Sequence, residues 1–492
     1  GLKVISDDIK KGEFKSVYLL YGEEEYLKKQ YRDRLKNAIA GDDTMNYSRW
    51  ATNEEMSKFL NEVDINSSIQ KSGIPMGYDK NKLLIKDDNS HTLVIGAPGS
   101  GKTQSVMLPK VKLAIKAGES LFINDVKGDI LNEIGGELKK NNYNIIVLDY
   151  AELEKGNYYN VLTFPYKLYK DNNKDKAIEI LENIGYYLLH DVNDNSDIFW
   201  ENTAIEYFVL TLYLFDNAKE EEINLKSVTS LSEQINNSKE SIIDKIDRSS
   251  TAYQYLFNTL GTATETKAGI LVTFNQRIKK FVTKENLSNS MSKSDFDINN
   301  IGNEKTAIIV VSGISGYVNN LITILLEQIF YSIQLYGNKE NRFNLVIDEF
   351  DNLLPIVDFY SKFNYARGIN INITAFIKNF TNLRNIYGNK NYELIRMCFD
   401  NIIYLLANDL YTLEEISNLC GNSNKGPLIS PLELKTIDFF NEIILMPRMY
   451  PIKTKVLPDY EIDWNFDNSK LKLNVLKKNE VNLFDIEKFL KK

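Results

Sequence analysis

The chain is poor in residues that build covalent and metal frameworks: its 492 residues include two cysteines, Cys398 and Cys420, and two histidines, His91 and His190. That scarcity rules out a disulfide scaffold, argues against a Cys/His zinc site and fits a reducing compartment. Long apolar runs are missing too. No stretch approaches the roughly 18 residues that a membrane-spanning helix needs. Asp7, Asp8, Lys10, Lys11 and Glu13 put charge into the opening residues, unlike a signal peptide. A soluble chain is expected. Nor is positive charge in excess: 59 Lys and Arg against 67 Asp and Glu give a net charge of −8, so composition does not mark a nucleic-acid binder. Contact with a polyanion would need a local basic lining on an acidic body. The 43% hydrophobic and 26% charged residues are ordinary for globular proteins, and the length allows two or three domains.

One stretch organises the rest. Gly96, Ala97, Pro98, Gly99, Ser100, Gly101, Lys102 and Thr103 fit the pattern G-x-x-x-x-G-K-[ST]. In that pattern glycines let backbone N–H groups curl round phosphates, the lysine reaches the outer phosphates and the hydroxyl holds Mg²⁺. Residues 92–95 lead in as an apolar strand. Residues 102–117 lead out as a helix, with Val106, Met107, Val111, Ala114 and Ile115 at helical spacing. The first turn of that helix, including Gln104, would face the phosphates with its positive end. A plain strand-to-helix turn would account for the glycines but has no use for Lys102 followed by Thr103. ATP with Mg²⁺ is the expected ligand, and Pro109 is expected to bend the helix.

Taken in order, residues 17–21 read as a strand, Gly22 as a turn and residues 23–40 as an amphipathic helix. Glu23, Glu24 and Glu25 stand where phosphates would bind and would repel them, so no second nucleotide site is read there. The runs Val17-Tyr18-Leu19-Leu20-Tyr21-Gly22-Glu23-Glu24 and Asp42-Asp43-Thr44-Met45-Asn46-Tyr47 resemble the start of the DNA polymerase III delta subunit, a clamp-loader component. This covers about a tenth of the chain, too little to complete that subunit's domain. Residues 1–50 are read as an appended segment.

Residues 54–63 suggest a short helix, and Ser72-Gly73-Ile74-Pro75 a turn before a strand at 83–85. Strands at 120–124 and 144–148 flank a helix at 129–140, an alternation that implies right-handed crossovers and a parallel sheet. From about 171 to 294 strands stop. Residues 174–191, 199–217, 225–235, 240–248, 252–260 and 265–281 read as helices joined by Asn/Asp/Ser-rich loops. Strands return at 306–311, 343–347, 371–376, 401–405 and 442–445. The expectation is an α/β nucleotide-binding domain, residues 51–170 and 295–492, interrupted by an all-α insertion, residues 171–294.

A P-loop enzyme needs a second acidic strand end to hold Mg²⁺ and orient the attacking water. Leu345-Val346-Ile347-Asp348-Glu349 supplies one, with Asp348 on the metal side beside Thr103 and Glu349 polarising the water. Asp125 and Asp149, also at strand ends on the same edge, compete for those roles.

The segments His91 to Thr103, Asp125-Val126-Lys127-Gly128-Asp129, Tyr159-Asn160, Phe199-Trp200-Glu201-Asn202, Asp348-Glu349-Phe350, Ala366-Arg367-Gly368, Ile386-Tyr387-Gly388 and Asn408-Asp409 follow one another in an order that resembles the type IV coupling protein family. Its members are hexameric ATPases that deliver DNA to conjugative secretion channels. The likeness runs from about Ser72 to Asp459. It implies a RecA-like P-loop NTPase fold whose all-α insertion faces the DNA cargo. Lys102 and Thr103 carry over as phosphate and Mg²⁺ ligands, and Asp348 and Glu349 as the catalytic acids. Arg367 carries over as an arginine offered to a neighbouring subunit's nucleotide; on its own residues it reads as a surface arginine beside a turn glycine. The implied partners are single-stranded DNA with bound relaxase, type IV secretion channel components and further copies in a homo-hexamer at the cytoplasmic face of the inner membrane.

There are two departures. Lys378 stands where the family has a glutamine that senses the γ-phosphate, and an ammonium donates hydrogen bonds but accepts none. The family's membrane-spanning helices have no counterpart here. Candidate DNA contacts are Gln276, Arg277, Lys279 and Lys280, with Lys453 and Lys455, although such runs also occur as plain solvated faces. Three alternatives stay open: another ring translocase such as a septal DNA pump, a docking receptor that binds ATP but hydrolyses little, and a clamp-loader role resting on residues 1–50.

Overall fold

The computed structural model describes residues 2–11, 20, 25–40, 49–79, 82–191, 198–237, 246–423, 426–477 and 481–486. The expected strand at 17–21, the turn at Gly22, the delta-like run at 42–47 and most of the helix at 240–248 lie outside these residues. At the N-terminus, helices Leu2–Lys11 and Glu25–Ala40 pack on each other.

A small antiparallel sheet comes first, with strands β1 (Asn61–Val63), β2 (Ile74–Asp79) and β3 (Lys82–Lys86) in the order β1-β3-β2. The predicted helix at 54–63 is therefore cut short. It ends at Met56, capped by a reciprocal Thr52–Glu55 box, and β1 follows. The turn expected at 72–75 is a strand from Ile74 onward. Pro75 is tolerated because β2 is an edge strand, where a missing N–H breaks no ladder.

The main sheet follows as β4 (Thr92–Gly96), β5 (Ser120–Asp125), β6 (Asn144–Asp149), β7 (Thr306–Val311), β8 (Phe343–Ile347), β9 (Ile371–Ile377) and β10 (Asn401–Leu406). A two-residue ladder, β11 (Asn422–Ser423) with β12 (Gly426–Pro427), comes next, and then β13 (Asn441–Leu445) and β14 (Ile452–Lys455). The strand order is β14-β13-β10-β4-β9-β8-β5-β7-β6. From β10 to β6 all neighbours are parallel, while β13 and β14 add two antiparallel strands at one edge. The parallel strands read as unbroken β-branched runs, such as Thr-Ala-Ile-Ile-Val-Val in β7, buried along their whole length, as a sheet covered on both faces requires.

Alternation along each strand sends side chains to two cores. From β4, Leu93 and Ile95 join the core on one face and Val94 the core on the other. The second face carries the helix after the Gly-rich loop and helix Asp129–Lys140. The first continues without a break into the segment between β6 and β7, where Ile180, Leu181, Tyr207 and Phe274 belong to the same cluster as Ile308 and Leu345. The described residues of that segment form helices, including Lys174–Leu189, Leu225–Asn237, Thr251–Leu260 and Thr264–Val282. A helix at Thr163–Lys170 also precedes the expected start. The single helix predicted for 199–217 is two, Ile198–Phe208 and Thr211–Asn217.

The end of the chain is a strap laid over the other layers. Asp459 forms a buried ion pair with Lys112 at 2.6 Å, and Asp467 N–H donates to Glu137 at 2.8 Å. Further on, Lys477 O accepts from Tyr158 at 2.6 Å. Phe484 N–H donates to Ser227 at 3.1 Å and Ile486 N–H to Gln234 at 2.8 Å, which takes the chain onto the inserted helices.

Candidate nucleotide-binding site

Parallel strands place their carboxyl ends on one edge, and it is there that the predicted site residues gather. Gly96 closes β4, Asp348 and Glu349 follow β8, and Lys378 follows β9. Asp348, Glu349 and Lys378 line one cleft of about 400 Å³ with residues 97–104, Met107, Asp125, Lys127, Asp129 and Asp351.

The loop has the local shape that its sequence asks for. Gly99 and Gly101 take φ of 79° and 89°, conformations open to glycine. A Cβ on Gly96 would lie 2.3 Å from Ser100 Oγ and 2.6 Å from Lys102 Cγ, so the lysine stem passes where only hydrogen fits. Lys102 Nζ donates to Gly96 O. Burial lowers the Lys102 pKa, opposed by the charges of Asp348, Asp351 and Glu349. Just ahead of Pro109 the first turn of the outgoing helix widens over Thr103–Met107, with Leu108 N–H donating to Thr103 O, five residues back. This wider turn gives the proline ring room beside the carbonyl it would otherwise strike.

Asp348 is enclosed, and burial raises its pKa to about 6 against the pull of Lys102; Asn124 Nδ2 fixes its carbonyl at 2.8 Å. Glu349 sits at φ 49°, a strained conformation of the kind found at functional sites, with Lys378 Nζ 3.5 Å from its carboxylate. The two competing aspartates are occupied in shaping their own turns. Asp125 accepts from Gly128 and Leu131 N–H at 2.9 Å each. Asp149 accepts from Ala151 at 3.1 Å and Glu152 at 2.7 Å.

A phosphate chain fits these residues. Ser100 Oγ is buried in the loop without a partner among the described residues and can donate to a phosphate oxygen, and the backbone cradle is open. The described residues hold no cluster of three or more His, Cys, Asp or Glu able to bind a metal unaided. Thr103 and Asp348 suit an ion such as Mg²⁺, which commonly takes one or two protein ligands and completes its shell with phosphate oxygens and water.

Arg367 is elsewhere. It ends helix Phe359–Gly368 and lies just before β9, at the amino edge of the sheet, donating to Cys398 O at 3.1 Å and pairing with Asp400 at 2.8 Å. The length of β9 separates it from the cleft of its own chain. Sequence reasoning missed Asp351, which is buried with its pKa raised. Its Oδ2 accepts from Lys378 N–H at 3.1 Å and Asn382 at 3.3 Å, while Oδ1 has no partner among the described residues. The only signal for it was its place three residues past Asp348.

Among the candidate DNA contacts, Arg277 is buried and ion-paired with Asp191, and Lys280 reaches the same carboxylate at 3.3 Å. Arg277 thus helps hold helix Thr264–Val282 rather than facing outward. Lys453 and Lys455 are exposed on β14. Among the described residues no helix is long and apolar enough to cross a membrane.

The sheet order, with the Gly-rich loop after β4 and the acidic pair one strand beyond its neighbour, defines a RecA-like P-loop NTPase fold. Within that class the sequence places the chain more narrowly: residues 38–425 match the family of type IV secretory system conjugative DNA transfer, and the chain belongs to it. Solved structures agree on the fold. The conjugative coupling protein TrwBdeltaN70, in its unbound monoclinic form, is 14% identical with a TM-score of 0.60, covering 80% of this chain and 90% of that one. TrwB in complex with ADP and Mg²⁺ is 14% identical with a TM-score of 0.63, covering 86% and 95%. VirB4 of Thermoanaerobacter pseudethanolicus is 15% identical with a TM-score of 0.50, covering 78% and 96%. No curated protein matches the sequence.

Proposed function

We propose that this chain binds ATP with Mg²⁺ at the loop after β4 and hydrolyses it to drive or gate the transfer of single-stranded DNA, with its bound relaxase, into a type IV secretion channel. The observation that carries this reading is the meeting of Lys102, Thr103, Asp348 and Glu349 in one cleft while Arg367 stands on the opposite edge. A bound Mg²⁺ would withdraw charge from the phosphates. Lys102 would turn from Gly96 O to the outer phosphates, Asp348 would hold the metal side, and Glu349 would orient the attacking water. Arg367 would serve a nucleotide in an adjacent copy, within a ring such as a homo-hexamer. The all-α segment, residues 171–294, would face the cargo.

One observation favours a second reading. The Lys378 ammonium stands 3.5 Å from the Glu349 carboxylate, where it competes for the group that should orient water. The chain would then act as an ATP-binding receptor that docks the relaxase and turns over slowly. ATP turnover with and without single-stranded DNA, for the parent chain, Lys102→Ala, Arg367→Ala and Lys378→Gln, separates the two. DNA-stimulated hydrolysis lost in the first two variants supports the motor. Binding without turnover, relieved by Lys378→Gln, replaces it with the receptor.

A further inference from the structure

The cleft has two flanks. On one, β9 and β8 deliver Lys378, Asp348 and Glu349. On the other, beyond β10, the chain enters β13 through Asp438-Phe439-Phe440. The lysine and the acidic pair serve the outer phosphates, so a nucleotide in this loop points its terminal phosphate to the first flank and its nucleoside toward the second.

The second flank is aromatic. A Cβ on Gly101 would lie 3.5 Å from Phe440 Cε1 and 3.8 Å from Phe439 Cε1, which puts both rings against the phosphate loop. Their centroids are 5.1 Å apart, and Tyr460 lies 6.4 Å from Phe440. Phe439 is 63% exposed and Tyr460 67%, an unusual outlay of large apolar surface beside a polar cleft. The rings are also held in place. The short turn Asp459–Glu461 packs on the widened turn Thr103–Met107 and is pinned by the buried Asp459–Lys112 pair. Phe440 takes φ 60°, costly for a bulky residue, and is kept there by Asn441 N–H on Asp438 O at 3.1 Å and by Val456 N–H on Phe440 O at 2.8 Å.

We propose that Phe439, with Phe440 and Tyr460 beside it, is the platform on which the nucleobase of the bound nucleotide stacks. This rests on the nucleotide-binding reading above and deepens it. A ring face carries no donor–acceptor code, so the platform holds adenine and guanine alike, and affinity beyond that of the phosphate chain comes from stacking.

The test is calorimetric titration of the full chain and of Phe439→Ala, Tyr460→Ala and Phe439→Trp with ATP, GTP and inorganic tripolyphosphate, each with Mg²⁺. Phe439→Ala should weaken ATP and GTP about ten-fold and leave tripolyphosphate unchanged, with a smaller loss of the same kind in Tyr460→Ala. Phe439→Trp should keep its affinity, and its indole emission should change on adding ATP but not tripolyphosphate. Unchanged nucleotide affinity in Phe439→Ala overturns the platform while leaving the phosphate site standing. An equal loss for all three ligands does the same, since it would mean damage to the loop. If the parent chain binds neither nucleotide nor tripolyphosphate, the nucleotide site itself is wrong and the platform falls with it.

Discussion

Replacing Arg367 by alanine separates catalysis from folding in a way that few site variants allow. The arginine sits before the first residue of β9 and the cleft lies past its last, Ile377, so seven residues at strand rise put it roughly 20 Å from its own Lys378. It is therefore too far to act on the nucleotide of its own chain. Its local partner is Asp400, at 2.8 Å with both side chains part-exposed, and such a pair contributes about 0–1 kcal/mol. An arginine offered in trans contributes about a thousand-fold or more to turnover. Arg367→Ala should thus lose nearly all ATP hydrolysis, keep nucleotide affinity and melt within a few degrees of the parent. Mixing it with Lys102→Ala gives the sharper measurement. With sites shared as proposed, each needing an intact loop from one copy and an intact arginine from the next, an equimolar mixture that exchanges subunits should recover about one quarter of parental turnover. A mixture as inactive as its components, or an Arg367→Ala chain that still hydrolyses, would refute the placement of this residue at a shared site.

Three further outcomes follow from the packing. Gly96→Ala puts a methyl group onto Ser100 Oγ and the Lys102 stem; equilibrium binding should show ATP affinity lowered by about ten-fold or more while the circular dichroism stays that of the parent. Glu442 on β13 is fully buried, neither carboxylate oxygen has a partner among the described residues, and burial raises its pKa from 4.5 to about 8. A carboxyl raised on folding destabilises the native state as pH rises, with no effect below pH 4.5 and the full effect above pH 8. Glu442→Gln should therefore stabilise by about 3 kcal/mol at pH 7, and urea melts at pH 5 and pH 8 should differ for the parent but much less for the variant. Lys362 and Glu327 form a buried ion pair between helices Phe359–Gly368 and Gly316–Tyr336. Lys362→Met should cost about 3–5 kcal/mol in a chemical melt, and adding Glu327→Leu should restore much of it.

The parts legible in the sequence were those in which chemistry or burial leaves one solution. The Gly-rich loop, the acidic pair after β8 and the β-branched runs of β5 to β10 were read within a residue or two, because strands buried on both faces admit little but apolar β-formers. Pro75 was read into a turn but is absorbed by an edge strand, and Pro109, expected to bend its helix, follows a widened helical turn; both contexts exist only once neighbours are in place. Asp351 carried only its place three residues past Asp348, and the Phe439–Phe440 flank could not be found from spacing at all, since strand order brings it to the cleft from a separate stretch of chain. Arg277 shows the converse: a charge that looked free in the sequence meets Asp191 from another element.

The strap at the end of the chain has a mechanical meaning. The described residues from Asp459 onward are fastened to Lys112 on the helix behind the phosphate loop and to Ser227 and Gln234 among the inserted helices. Between these points the strap is also held to Glu137 through Asp467 and to Tyr158 through Lys477, so the helix behind the phosphate loop and the inserted helices share fastenings that do not pass through the sheet.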